Sequence, residues 1–364
     1  MEYRIHPKTG EKISVIGLGS SALSGASEAE AVEALVFAHD HGINYMDLAT
    51  TGAATFGYVG KALAHVRSDM HYQVHFGANY ENGEYGWTTD PDTVKRQIDW
   101  QLSTLQTDYI DFGFIHCLDE QSDWEAYQKN GILDHLLDLK DQGVVRHIGL
   151  SSHTPALANA VLDTGLLDQL MFSINPSYDY RQGQYAIGET SERMALYQRC
   201  EAAGVGISVM KPFSAGQLLD AATSPFGQAL TKYQCIQYAL DKPGVLTVLP
   251  GVRDLADVKE LLGFFDAAPE TRDYSIIGTF TPQDMRGTCV YCNHCAPCPA
   301  GLNVGLINKY YDLAKVGDQL ARDHYDTLSR HASDCVHCGH CDGRCPFHVA
   351  QSARMTAIAD YFGK

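Results

Sequence analysis

The chain has 364 residues, 45% of them hydrophobic and 20% charged, enough to bury a large core and a smaller second unit. Its formal net charge of −17 repels phosphate backbones and anionic membrane surfaces, so neither nucleic acid nor a membrane is an expected partner. No apolar run approaches the roughly 18 residues of a membrane span, and the polar start MEYRIHPKTGEK is unlike a signal peptide, so a cytoplasmic protein is expected.

In chain order, KTGEKIS (8–14) reads as a small hairpin. Short apolar runs then alternate with helical patterns. Strands are predicted at 13–19, 44–48, 72–77, 109–116, 145–151, 171–175, 205–211 and 245–250. Helices are predicted at 28–41, 56–66, 91–105, 122–142, 154–165, 190–203, 226–241 and 253–266. Ser27, Asp90-Pro91 and Thr154-Pro155 are helix-start signals, and Gly42, Gly143, Gly165 and Gly204 are stops. This alternation predicts a parallel sheet closed into a (β/α)8 TIM barrel over residues 1–266, with the 8–14 hairpin plugging its lower end. No G-x-G-x-x-G follows any strand, which argues against a Rossmann sheet. Barrel chemistry sits at the C-terminal strand ends. Those ends bring Asp47, Gly77 to Tyr80, His116, Ser151, Asn175, Lys211 and Gly251 into consideration.

Residues 267–288 lack periodicity and read as a linker, and residues 289–364 form a second, cysteine-rich domain. Of 11 cysteines, eight lie between 289 and 345, a clustering that points to metal rather than disulfides. CVYCNHCAPCP supplies Cys289, Cys292, Cys295 and Cys298, and CVHCGHCDGRCP supplies Cys335, Cys338, Cys341 and Cys345. The second is the C-x2-C-x2-C-x3-C-P ferredoxin pattern, and the first differs by one residue in its last gap. Three closely spaced thiolates wrap one face of a [4Fe-4S] cluster, and the cysteine before proline serves the other cluster. Cys289, Cys292, Cys295 and Cys345 are therefore assigned to one cluster, and Cys335, Cys338, Cys341 and Cys298 to the second. A pair of zinc sites is the alternative. His294, His337 and His340 are either further ligands or surface residues. A helical stretch is expected at about 303–332 between the motifs.

The stretches KTGEKISVIGLGS, GINYMDLA, LQTDYIDFGFIHCLDE, GVVRHIGLSSHTP, GISVMKPFSAGQL and VLPGVRDLADVKE, in this order, resemble the aldo-keto reductases. The tail resembles the small α-helical, loop-rich ferredoxin-like iron–sulfur module fused to one branch of them. The resemblance implies carbonyl reduction by NADPH through an Asp, a Tyr proton donor, a Lys and a His. Asp47 and His116 match the Asp and His. Gly52 stands where the Tyr is expected, and His75 or Phe76 where the Lys is expected. His75, Tyr80 and Tyr85 are candidate substitutes, His75 because its ordinary pKa is near neutral. The resemblance also implies that Ser151 and Asn175 hold the nicotinamide amide, that Gly251 and Arg253 meet the phosphates, and that Glu260 contacts adenine. Lys211 is placed to meet phosphate or an anionic substrate.

An intact cluster module beside an altered hydride site leads to one principal expectation. Two [4Fe-4S] clusters relay electrons to or from a small organic substrate at the barrel mouth, with ferredoxin or another electron-transfer protein as partner. Such an enzyme is expected to be oxygen-sensitive. The alternatives are an NAD(P)H-dependent carbonyl reductase with a substitute proton donor, and a non-catalytic electron-transfer subunit.

Overall fold

The computed structural model describes residues 1–179, 190–274, 276, 277, 289, 295, 297–315, 319–345 and 349–364. Eight strands run in parallel: β1 (Leu18–Gly19), β2 (Tyr45–Asp47), β3 (His71–Phe76), β4 (Ile110–Ile115), β5 (Val145–Ser152), β6 (Gln169–Ser173), β7 (Gly206–Met210) and β8 (Val245–Val248). They pair in chain order from β1 to β8. Parallel bridges Ile16 to Val248 and Gly19 to Gly251 bring the first segment onto the last, closing the barrel. The run at 13–19 is thus not one continuous strand. Lys12–Ser14 pairs antiparallel with Tyr3–Ile5 as the expected hairpin, and only Leu18–Gly19 joins β2.

The barrel helices described are α1 (Glu28–Asp40), α2 (Ala54–Leu63), α3 (Pro91–Leu105), α4 (Gln121–Lys129), α5 (Ile132–Asp141), α6 (Pro155–Leu162), α7 (Thr190–Ala202), α8 (Lys232–Leu240) and α9 (Leu255–Asp266). Their boundaries follow local chemistry. Ser27 and Glu30 close a capping box on α1, and Asp90 caps α3 ahead of Pro91. Two predicted helices are corrected. The pattern at 122–142 is split into α4 and α5 because Gly131 adopts φ 77°, a left-handed turn that ends one helix and starts the next. The pattern at 226–241 becomes helical only at Lys232, where Thr231 and Gln234 form a second capping box.

The strands are largely apolar and buried, as parallel strands between a barrel lumen and a helical shell tend to be, with a few buried polar residues such as Gln73, His75 and Asp111 among them. β4 and β7 are buried at every residue. Ile277 is buried in the same core, so the chain remains on the barrel past residue 266. A separate apolar core then forms from α10 (Val304–Lys315), α11 (Gln319–Thr327) and α12 (Gln351–Phe362). Within the expected helical stretch at 303–332, Val304–Lys315 and Gln319–Thr327 are helical. No helix among the described residues is long and apolar enough to cross a membrane.

Candidate active site

Strand periodicity points Gln73 and His75 to the same side of β3, into the barrel, beside Asp47 at the end of β2. Tyr45 Oη and Ser208 Oγ both donate to Gln73 Oε1, at 2.8 and 3.0 Å. The Gln73 amide must therefore turn its Nε2 upward, where it donates to Asp47 Oδ1 at 2.8 Å. His75 Nε2 lies 2.7 Å from the same carboxylate oxygen. Asp47 and His75 are 3% and 1% exposed, so this is a buried, satisfied pair. Of the two residues weighed for the position of the Lys, His75 reaches Asp47.

The chain of contacts continues. His75 Nδ1 lies 2.9 Å from His116 Nδ1, and His116 Nε2 lies 2.7 Å from Tyr85 Oη. Burial, with His75, His324 and His153 nearby, pushes the pKa of His116 well below its ordinary value, so this imidazole is neutral at pH 7. One set of tautomers satisfies every link. Tyr85 donates to His116 Nε2, His116 Nδ1–H donates to His75 Nδ1, and His75 Nε2–H donates to the Asp47 carboxylate.

Tyr85 reaches this position through backbone pairing. Ala78–Asn79 pairs with Gly86–Trp87 in a small ladder above β3. Tyr85 N donates to Thr51 O, Ala53 N donates to Gly83 O, and Gly52 bridges Glu84. The hairpin carrying Tyr85 therefore lies directly beside Gly52. Tyr80 contributes differently: its hydroxyl caps the loop at Thr50, and burial and then Asp47 raise its pKa well above the usual value.

A second polar group lines the mouth after β4 and β5. Asp119 accepts from Ser152 Oγ, His153 N and Thr154 Oγ1 at Oδ1, and from His153 Nδ1 at Oδ2. Burial alone would raise its pKa; His153 and Lys309 outweigh it and hold the carboxyl well below the usual range. Burial and then the Lys211 charge push His153 down to about 4, and Lys211 Nζ lies 3.0 Å from its Nε2. Lys309 belongs to α10 of the C-terminal unit, and its Nζ lies 3.8 Å from Asp119 Oδ2. His324 of α11 packs edge-on to Trp87, and Tyr310 lies beside it. The C-terminal unit thus seats itself on the barrel mouth. Sequence reasoning missed Gln73, Asp119, His153, Lys309 and His324. Gln73 alone carried a local signal, its period-two spacing from His75.

The residues expected to meet a nucleotide lie at or after the ends of β5 to β8 or on α9, and they have partners within the chain. Ser151 Oγ accepts from Cys117 N at 2.7 Å. Asn175 is fully buried; its Nδ2 donates to Lys211 O and its Oδ1 accepts from Tyr178 N. Arg253 is exposed and grips Asp257 through Nε and Nη2, while Glu260 accepts from Lys232. Gly251 is exposed at the bridge to Gly19. These bonds leave hydrogen-bonding capacity, since Ser151 accepts here and still has its O–H to donate and Asn175 Nδ2 has a second N–H, so the set would remain able to hold NAD(P).

The cysteines are brought together across the two motifs. Cys298, Cys335, Cys338 and Cys341 line one pocket with Leu302 and Val304. None of these four is joined in a disulfide. Cys289 and Cys345 share a buried cluster with Val349. Cys295 is buried in the C-terminal core, and Cys292 and His294 lie outside the described residues. Four thiols converging without disulfides fit a thiolate-ligated cluster. His340 lines the same cavity.

Comparison with known proteins agrees with the barrel. L-galactose dehydrogenase of Arabidopsis thaliana is 26% identical over 293 residues, covering 71% of this chain and 86% of that protein. The oxidoreductase YqkF of Bacillus subtilis (strain 168), described as uncharacterized, is 25% identical over 300 residues, covering 75% and 94%. The holo form of aldo-keto reductase AKR11C1 from Bacillus halodurans superposes with a TM-score of 0.61 at 24% identity, covering 76% of this chain and 95% of that one. The aldo/keto reductase from Klebsiella pneumoniae in complex with NADP and acetate gives a TM-score of 0.53 at 18% identity, covering 77% and 95%. The profile of the aldo/keto reductase family matches residues 15–232, and the chain is an oxidoreductase belonging to that family.

Proposed function

We propose that this oxidoreductase acts on a small organic substrate at the barrel mouth in a two-electron, two-proton reaction, exchanging one proton with it through Tyr85, the second with solvent, and the electrons through two [4Fe-4S] clusters in the C-terminal unit. The observation that carries this reading is the buried run Asp47–His75–His116–Tyr85 beside Gly52, which offers a hydroxyl next to the place where the family's tyrosine is missing.

The run holds a proton in two arrangements. With Asp47 ionised, each group donates toward Asp47, and Tyr85 Oη is ready to accept a proton from the substrate. One proton shift at each link then leaves Asp47 protonated, both imidazoles neutral and every donor pointing outward, ready to return a proton. Neither end state places a charge on an imidazole, which suits the burial of both histidines. Gln73 donates to Asp47 Oδ1 and so holds that carboxylate oxygen in place beside His75 Nε2. Trp87, Tyr310 and His324 form a run of ring contacts near this proton path, with Trp87 Nε1 donating to His116 O.

Cys298, Cys335, Cys338 and Cys341 would hold one cluster and Cys289, Cys292, Cys295 and Cys345 the other; bound there, the clusters supply one-electron transfer. The lining of a single cavity by Cys298 together with three cysteines of the other motif supports the crossed ligand sets. It weighs against two independent zinc sites, each closed within its own motif.

The test is anaerobic reconstitution followed by product analysis over a panel of carbonyl compounds and alcohols. Dithionite serves as electron donor for the first and an oxidising dye as acceptor for the second. About eight irons per chain and turnover without nicotinamide are expected. Full turnover in a folded Cys338→Ser protein would sink the electron role.

A second reading, NAD(P)H-dependent reduction with Tyr85 as the substitute acid, is favoured by the order of Ser151, Asn175, Lys211 and Gly251 on consecutive strand ends. It requires quenching of NADPH fluorescence on binding, and no quenching at millimolar nucleotide excludes it.

A further inference from the structure

The C-terminal core contains a buried polar pair that packing alone does not require. Asn308 is fully buried and Gln351 is 2% exposed. Buried amides are costly unless every group is bonded, and here the orientation of both follows from one end. Arg354 has only donors to offer. Its Nε donates to Asn308 Oδ1, while its Nη2 holds Asp312. Asn308 must therefore present Nδ2 on its other side, where it donates to Val304 O at 2.7 Å and Gln351 Oε1 at 2.9 Å. With its carbonyl so occupied, Gln351 turns its own Nε2 toward Cys289 Sγ, 3.5 Å away. Cys289 sits there with Cys345, the two cysteines drawn from different motifs.

We propose that Gln351, which belongs to neither cysteine motif, is the positioning residue that sets the reduction potential of the cluster ligated by Cys289; this rests on the cluster reading above. An amide N–H aimed at a cysteine sulfur stabilises the extra negative charge that the sulfurs share on reduction, and so raises the potential. The ordered chain Arg354, Asn308, Gln351 has the character of such a device: each amide is locked by the one before it, so the donor cannot flip away. The placement also links the two halves of the molecule. Lys309, the next residue after Asn308, ion-pairs with Asp119 at the barrel mouth. One turn of α10 therefore touches both the partner of the sulfur's donor and the substrate end of the barrel.

The experiment is a redox titration of the full, anaerobically reconstituted chain followed by electron paramagnetic resonance, on wild type and Gln351→Met. The substitution keeps side-chain length and removes the N–H donor. Unchanged iron and sulfide content is expected, with one of two midpoint potentials moved to a more negative value and the other unmoved. Asn308→Ala, which leaves Gln351 in place but unlocks its amide, should move the same potential in the same direction by less. It decides the matter if Gln351→Met does not load. Two unshifted potentials in a fully loaded variant overturn the proposal, as does an equal shift of both, which a general loosening of the core would produce. A wild-type chain that takes up no iron defeats the cluster reading itself, before any variant is compared.

Discussion

His75 and His116 face each other through their Nδ1 atoms at 2.9 Å, on neighbouring strands, with both rings buried. Two imidazoles can share this contact only if one nitrogen is protonated and the other is not, and the outer partners, Asp47 and Tyr85, decide which. The pair therefore couples a carboxylate deep in the barrel to a phenol at its mouth.

Tyr85→Phe removes the hydroxyl at the end of this run, the group proposed to exchange the proton. The catalytic constant for any substrate turned over by the wild type should fall about 10²- to 10⁴-fold, the range typical of a lost proton-transfer group. KM should change little. Steady-state kinetics decide it, and an unchanged catalytic constant assigns the proton to another group.

His75→Phe leaves the Asp47 carboxylate buried with Gln73 as its remaining hydrogen-bond donor. Losing a hydrogen bond to a buried charged group typically costs about 1.5–3 kcal/mol. Urea unfolding at pH 7 should show a loss of that order. The double variant with Asp47→Asn should lose less than the sum of the two single losses, because the uncompensated charge is gone.

Acidification should destabilise the mouth through His153, which faces Asp119, Lys211, Lys309 and Cys117. Its folded pKa is held down to about 4, below the unfolded value near 6.5. The unfolded chain therefore binds the proton first as pH falls. Stability is unaffected above about pH 6.5 and is lost progressively between there and about pH 4, roughly 3 kcal/mol in all. Denaturation midpoints at pH 7 and pH 5 measure it. His153→Gln should flatten that slope.

Gly60 marks a close approach of α2 to α3. A Cβ there would lie 2.3 Å from Thr104 O, a backbone atom that cannot rotate away. Gly60→Ala should cost about 1–3 kcal/mol or more through displaced helices, against the small gain alanine brings to an open helix. Chemical denaturation compared with Gly57→Ala, whose added Cβ meets nothing within 4 Å, separates overpacking from helix propensity.

Much of the fold was legible because each barrel unit is local: an apolar run, a cap and a glycine stop describe one strand and one helix. The errors fell where a short-range signal decided the outcome. Gly131 in a left-handed turn split one helix, and the Thr231–Gln234 box delayed another. At the site, Asp47, His75 and His116 were legible because strand ends place them by chain position. Tyr85 was one of three candidate substitutes, and its contact with His116 was not legible. The hydrogen bonds of Ser151 and Asn175 within the chain could not be read from position alone.

The sequence by itself determined the alternation that closes a barrel, the absence of a tyrosine at Gly52 and the spacing of eight cysteines, since each depends on residues near one another in the chain. Tertiary structure alone decided which residues complete the site. Backbone pairing of the 83–85 segment with the 51–53 loop brings Tyr85 to His116, and the seating of α10 and α11 brings Lys309 and His324 to Asp119 and Trp87. Folding draws Cys298 to the cysteines of the second motif. These contacts join positions tens to hundreds of residues apart, where no local periodicity or spacing carries the information, and only packing and the need to satisfy buried polar groups specify them.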